Sequence, residues 1–436
     1  MRRELGNFER AQVITNEHYP FNAVIILCIS NGPSEETLRE VLKHLRRRHP
    51  LLSVHIHKEK GRYFFVSEAA PAIPLKVVER QNSEHWQQVV EQELNREVDI
   101  FKGPLIRLTY LIGPVGPGKK NESEIVITFQ HAVIDASSTA NFLHELLSLC
   151  EKIETHGSVE GFNNLEPLPP AEAFFPSSFQ GMRRKWHNFL FILRQIGDEF
   201  LYRLRTRSRR KAPIHAAGRG KILTITLTKD TSNALNKHSR KKRITINNLF
   251  NAAILMAVHK HLYDGQTLPL RHFNFADLRP YLTPPLDTQY LGSYFSMMRF
   301  TVGMKENPKV WELARKINDI TYTSFKRGDK FCANLLSPQM MQAILRFKSF
   351  RMAVTALSFT GFLMLEKHYG AIEVRDIHAF VSNFVLGPEY TAQTRWFDGR
   401  FYWDILYLDS DMDYKQAKVI AEEIRTILES AAEEES

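Results

Sequence analysis

One histidine and one aspartate, four residues apart, carry the clearest chemistry in the chain. In Glu124-Ile-Val-Ile-Thr-Phe-Gln-His-Ala-Val-Ile-Asp135 an imidazole and a carboxylate stand where one element ends and the next begins. Ile125, Ile127 and Phe129 share a strand face by the period of two, and His131 continues that face, so its imidazole is expected to point inward. With an ordinary pKa near ~6.5 such a group can take the proton of a hydroxyl or amine and turn a poor nucleophile into a useful one. A base of this kind contributes about 10²–10⁴ in rate. The same residues also read as a satisfied structural histidine and a helix N-cap.

The elements that would position the pair follow from pattern. After Asp135, Phe142, Leu143, Leu146, Leu147 and Cys150 recur at helical spacing. Upstream, residues 21–27 form a β-rich run. Ser34 then caps a helix with Glu35 and Glu36 in its first turn, Leu38, Val41, Leu42 and Leu45 on its apolar face, and Arg46, Arg47 and Arg48 at its end; this charge order suits the helix dipole. Strands are expected at 61–66 and 73–78, a helix at 83–97 and a turn at 113–120. Glu166-Pro-Leu-Pro-Pro170 reads as a linker. Between 181 and 211 Trp186, Phe189, Leu190, Leu193, Ile196, Phe200 and Leu204 recur at helical spacing among arginines. Three uses of this basic amphipathic helix stay open: packing over a domain junction, attachment to anionic lipid, and docking of a carrier protein or coenzyme. Its run Arg203, Arg205, Arg207, Arg209, Arg210, Lys211 has no nucleic-acid recognition fold beside it, so no nucleic acid is expected. Further on, a strand covers 222–227, and Thr245 opens an Ala-rich helix to Val258. Arg240, Lys241, Lys242 and Arg243 precede that helix, where a phosphate or a solvated loop fits equally. Helices are expected at 308–325, 338–350 and 413–430, and a strand at 399–406.

Composition narrows the class. At 436 residues, 43% apolar and 24% charged, the chain supports two domains with ample core. Cys28, Cys150 and Cys332 are far apart and form no CxxC pair, which predicts three thiols in a reducing compartment. His55 and His57 share a strand face but have no third ligand, so no metal is expected. No apolar run nears the ~20 residues of a membrane span, so a cytoplasmic protein is expected, at most peripheral to a membrane. The net charge of +10 attracts polyanions without choosing among them. Phosphate-cradling, nucleophile-elbow, HExxH and dinucleotide motifs are all missing from the sequence.

The segment Gln130-His131-Ala132-Val133-Ile134-Asp135-Ala136 resembles the His-His-x-x-x-Asp-Gly motif of the condensation-domain superfamily of acyltransferases, which includes chloramphenicol acetyltransferase and, closest to this chain, the polyketide-associated, phthiocerol diester and alcohol acyltransferases. Gln130 stands for the first histidine and Ala136 for the glycine. Weaker pieces follow in the family's order. Arg48-His49-Pro50-Leu51-Leu52 resembles the end of its first helix, and Phe101-Lys-Gly-Pro-Leu-Ile-Arg107 the entry to the motif strand. Asn274-Phe-Ala-Asp-Leu-Arg-Pro-Tyr281 is similar to the alcohol branch, Gly292 to Arg299 to a condensation-domain strand, and Ala356-Leu-Ser-Phe-Thr-Gly-Phe362 to the crossover segment.

The resemblance implies an α/β fold of two chloramphenicol-acetyltransferase-like lobes forming a V with a central channel. An N-terminal lobe would span 1–165, a linker with the basic helix 166–215, and a C-terminal lobe 216–436 with its crossover near 356–385. It further implies an O-acyltransferase (or N-acyltransferase) of lipid, polyketide or other secondary metabolism. The acyl group would come from acyl-CoA or an acidic acyl carrier protein bearing a phosphopantetheine-linked chain; no cofactor would be held permanently. His131 would be the general base. Asp135 would pair with Arg299, or with Arg279 in reserve. Gln130, Ser358 and Thr360 would face the oxyanion or substrate, and Lys241, Lys242, Arg243 and Thr245 the donor phosphates. Ala136 adds a Cβ where glycine normally lets substrate approach. An altered acceptor channel is one consequence; the other is a catalytically degenerate protein that binds or docks a partner.

Overall fold

The computed structural model describes residues 1–113, 121–157, 163–206, 218–347, 351–363 and 365–434. In chain order the elements are β1 (Arg2–Glu4), α1 (Asn7–Asn16), β2 (Asn22–Ser30), α2 (Glu35–Arg48), β3 (His55–Glu59), β4 (Arg62–Val66), β5 (Leu75–Glu79), α3 (His85–Leu94), β6 (Ile106–Ile112), β7 (Glu122–Gln130) and α4 (Ala136–His156). The chain continues with α5 (Gly181–Thr206), β8 (Gly220–Thr226), α6 (Lys229–Lys242), α7 (Ile246–Leu262), β9 (Leu268–Asp277), β10 (Phe295–Met304), α8 (Val310–Arg327) and α9 (Asp329–Arg346). It ends with β11 (Thr355–Phe362), β12 (His368–Tyr369), β13 (Ile372–Val381), β14 (Tyr390–Phe397), β15 (Arg400–Leu408) and α10 (Tyr414–Glu433).

These elements form two compact units that are interleaved in sequence, where the resemblance implies consecutive lobes at 1–165 and 216–436. The first contains Met1–Phe174, Arg279–Tyr294 and Leu363–Ser382; the second contains Phe175–Leu278, Phe295–Phe362 and Asn383–Ser436. Each has a six-stranded sheet. The first runs β12-β13-β2-β7-β6-β5, beside a small sheet β1-β4-β3; the second runs β10-β9-β11-β14-β15-β8.

The motif strand β7 lies between β2 and β6, antiparallel to both, with Gln130 opposite Asn22 and Phe129 opposite Ile106. Because both its faces are covered, Ser123 to Gln130 are all buried, and the run is nearly continuous in Ile, Val and Phe instead of strictly alternating. Helix α2 forms as its charges dictate. The Ser34 hydroxyl accepts the Thr37 N–H at 3.0 Å, Leu38, Val41, Leu42 and Leu45 are buried, and the helix stops before Pro50.

In the second unit Thr245 caps α7 by accepting the Asn248 N–H at 3.3 Å. This Ala-rich helix is buried nearly all round, and Phe250 meets Phe401 edge to face at 4.9 Å between centroids. All three cysteines are buried thiols. Among the described residues no helix is long and apolar enough to cross a membrane.

Candidate active site

His131 opens a single turn of 3₁₀ helix, His131–Val133, that bends the chain from β7 into α4. Its backbone N–H donates to the Phe21 carbonyl at 3.2 Å, and the Phe21 ring stacks on the imidazole at 5.7 Å between centroids. Nδ1 lies 2.9 Å from the Ile134 carbonyl oxygen. A carbonyl only accepts, so Nδ1 carries the hydrogen and the lone pair is on Nε2. Burial pushes the imidazole pKa below its ordinary 6.5, outweighing the Ile134 hydrogen bond and the charge of Asp135, which both favour the cation. The side chain is therefore a neutral base at neutral pH with a fixed tautomer, although its surface is partly exposed.

Gln130 fixes the same turn. Its Oε1 accepts the Ala132 N–H at 2.8 Å, a contact an amide makes as well as an imidazole would. Its Nε2 is buried with no hydrogen-bond partner among the described residues. Ala136 is the first residue of α4 and is not among the residues with positive φ, so the backbone there makes no demand for glycine.

Asp135 is the N-cap of α4, and its carboxylate is saturated. Oδ1 accepts the Ser138 N–H at 2.9 Å and the Ser138 hydroxyl at 2.8 Å. Oδ2 accepts Arg279 Nη1 at 2.6 Å and the Tyr294 N–H at 2.9 Å. The Arg279 guanidinium also donates to the Tyr290 carbonyl at 3.0 Å and sits 4.9 Å from the Tyr294 ring centre. Both ions are at most 3% exposed. The expected pairing with Arg299 is thus corrected: the reserve, Arg279, makes it. Arg279 follows β9 in a short turn that clusters with the first unit. Arg299 lies instead on β10, 3.3 Å from Gln195 and 3.6 Å from Glu199 of α5. Burial, joined by repulsion from Arg271, pulls its pKa down to about 10.

A second buried charge group braces α4 from α2. Glu145 takes His49 Nε2 at 2.6 Å and Arg48 Nε at 3.1 Å. Burial works against the Glu145 anion, yet His49 and Arg48 hold its carboxyl below the usual range. The sequence gives Arg48 and His49 through their motif but offers no sign of Glu145, which is one glutamate among several. Tyr294 and Phe21 are likewise invisible in advance, since one contributes a backbone N–H and the other an ordinary aromatic ring.

The remaining expected residues lie in the second unit. Ser358 and Thr360 are partly exposed on β11, and the Thr360 hydroxyl donates to the Thr394 carbonyl at 3.2 Å. Lys241 and Lys242 belong to the last turn of α6, and Arg243 ends it in the left-handed region at φ 54°. They complement the C-terminus of that helix as well as preceding α7. Lys242 also sits 5.2 Å from the Trp311 ring centre. Arg207, Arg209, Arg210 and Lys211 lie outside the described residues.

The fold is shared with solved condensation domains: the chain aligns with the first condensation domain of the CDA synthetase at TM-score 0.71 and 10% identity, covering 99% of this chain and 97% of that one. The chain aligns with polyketide synthase associated protein 5 from Mycobacterium tuberculosis at TM-score 0.72 and 16% identity, covering 99% of this chain and 98% of that one. It aligns with the trichothecene 15-O-acetyltransferase of Fusarium sporotrichioides at TM-score 0.78 and 12% identity, covering 98% and 95%. Residues 218–356 match the family model of the phthiocerol/phthiodiolone dimycocerosyl transferase C-terminus. The phthiocerol/phthiodiolone dimycocerosyl transferase of Mycobacterium sp. (strain JLS) is 26% identical over 228 residues, 51% of each chain. The matched stretch thus spans about half the length of that curated relative.

Proposed function

We propose that this protein is an acyltransferase that moves an acyl group from a thioester donor, acyl-CoA or a carrier-bound chain, to a hydroxyl acceptor. His131 Nε2 takes the acceptor's proton as its oxygen attacks the thioester carbonyl. The proton then passes to the departing thiolate, and no acyl-enzyme forms. The observation that carries this reading is the hydrogen bond from His131 Nδ1 to the Ile134 carbonyl, which leaves a fixed, neutral base with its lone pair on Nε2. Gln130 Nε2, a buried donor without a partner among the described residues, is the proposed contact to the oxyanion or substrate. Asp135 and Arg279 act by holding the turn in shape.

The test is thiol release from a panel of acyl thioesters with and without alcohols and amines. His131→Ala is expected to lose about 10²–10⁴ in acceptor-dependent rate while its unfolding curve stays native. Because the folded imidazole titrates below 6.5, kcat/KM holds as pH falls through 6.5 and drops only at lower pH. Undiminished turnover in the folded variant overturns the assignment.

A further inference from the structure

Helix α5 is attached to its own unit by its polar side. Arg194 reaches Asp329 at 2.7 Å, Glu199 lies 2.7 Å from Arg271, and Asp198 accepts the Thr301 hydroxyl at 2.8 Å. The Arg271 guanidinium stacks over Tyr202 at 3.8 Å. Of its 26 residues only Phe191 and Thr206 are buried. The opposite side carries Trp186, Phe189, Leu193, Ile196, Phe200 and Leu204, each 50–67% exposed and spaced at three or four residues, so they form one stripe. The three aromatics alone leave roughly 300 Å² of apolar surface in water, already the size of the largest patch on a typical monomer.

We propose that this stripe docks α5 on an anionic lipid surface, lying in the plane of the headgroups. The charges select that occupant. Arg183, Arg184, Lys185 and Arg205 are exposed at the two ends of the stripe, while Asp198 and Glu199, the helix's two acids, are turned inward onto Thr301, Arg271 and Arg299. Among the described residues the outward rim of α5 is cationic, with neither of the helix's acids on it. A second copy of the helix, parallel or antiparallel, would set cation against cation, whereas anionic headgroups neutralise both ends. At 1.5 Å per residue the helix is about 39 Å long. Apolar residues on one side and basic ones at the rim are what an interfacial helix requires. This inference stands independently of the catalytic reading.

The test is cosedimentation of the full chain with vesicles of phosphatidylglycerol and phosphatidylcholine, against pure phosphatidylcholine. Binding to the anionic vesicles is expected, with a blue shift of tryptophan emission that Trp186→Phe removes. The triple change Phe189→Ser, Leu193→Ser, Ile196→Ser abolishes binding without altering the unfolding transition. Arg183→Gln, Arg184→Gln, Lys185→Gln together weaken it about 100-fold. Equal binding to both vesicle types, or binding retained by the serine variant, overturns the proposal. So does a native dimer that the serine variant converts to monomer, because the stripe would then belong to a second copy.

Discussion

Helices α4 and α5 are both long and amphipathic, and they face opposite ways. Helix α4 buries Phe142, Leu143, Leu146 and Leu147, and its Glu145 is inside as well, paired with His49 and Arg48. Helix α5 turns Gln195, Asp198, Glu199 and Tyr202 toward the arginines of β9 and β10, and leaves its apolar stripe outside. One helix is held by area removed from water, about 25 cal/mol per Å²; the other is held by a few charge contacts. Adhesion of the first kind is spread along the helix, whereas adhesion of the second is concentrated in Arg271, Arg299 and Asp329. The two anchors differ as well. Asp135 has both oxygens fully used and a single arginine, while Glu199 is shared among Arg203, Arg271 and Arg299.

That contrast orders the effects of substitution. Asp135→Ala strips a buried arginine of its counter-ion and the start of α4 of its cap, and is expected to cost about 3–5 kcal/mol in urea unfolding. Glu199→Gln leaves Asp198 beside Arg271 and keeps the side-chain shape, so the loss is smaller, about 1–3 kcal/mol. A loss as large as that of Asp135→Ala would mean that the α5 anchor is a single critical pair. At the bottom, Phe200→Ser on the outer stripe is expected to shift stability by no more than about 0.5 kcal/mol. A cost of several kcal/mol there would show that the stripe is covered in the native protein.

The periodicity that reveals both helices names two faces and is silent on which one is inside. For α4 the strand and motif before it settle the matter. For α5 the deciding partners are far along the chain: Arg271 is 73 residues from Asp198, and Asp329 is 135 from Arg194. The same gap explains the exchange of Arg299 for Arg279. Both occur in motif-like segments, and only the fold reveals that the turn after β9 gathers with the first unit while β10 stays in the second sheet. By contrast, the cap of α2, the Thr245 start of α7 and the Asp135 cap of α4 are local arrangements: in each a side chain accepts the N–H three residues on. They were legible as such, whereas the arginine and the aromatic ring that complete the His131–Asp135 joint come from far along the chain.

Interleaving also imposes an order on synthesis. Asp135 must wait for an arginine 144 residues further along, which at about 5–20 residues per second is roughly 7–30 s of translation. Strand β13, whose Val381 pairs with Ala23 of β2, emerges later still. The nascent first unit therefore passes that interval with one edge of β2 uncovered and Asp135 without its arginine, and a chain cut after the basic helix would lack both partners permanently.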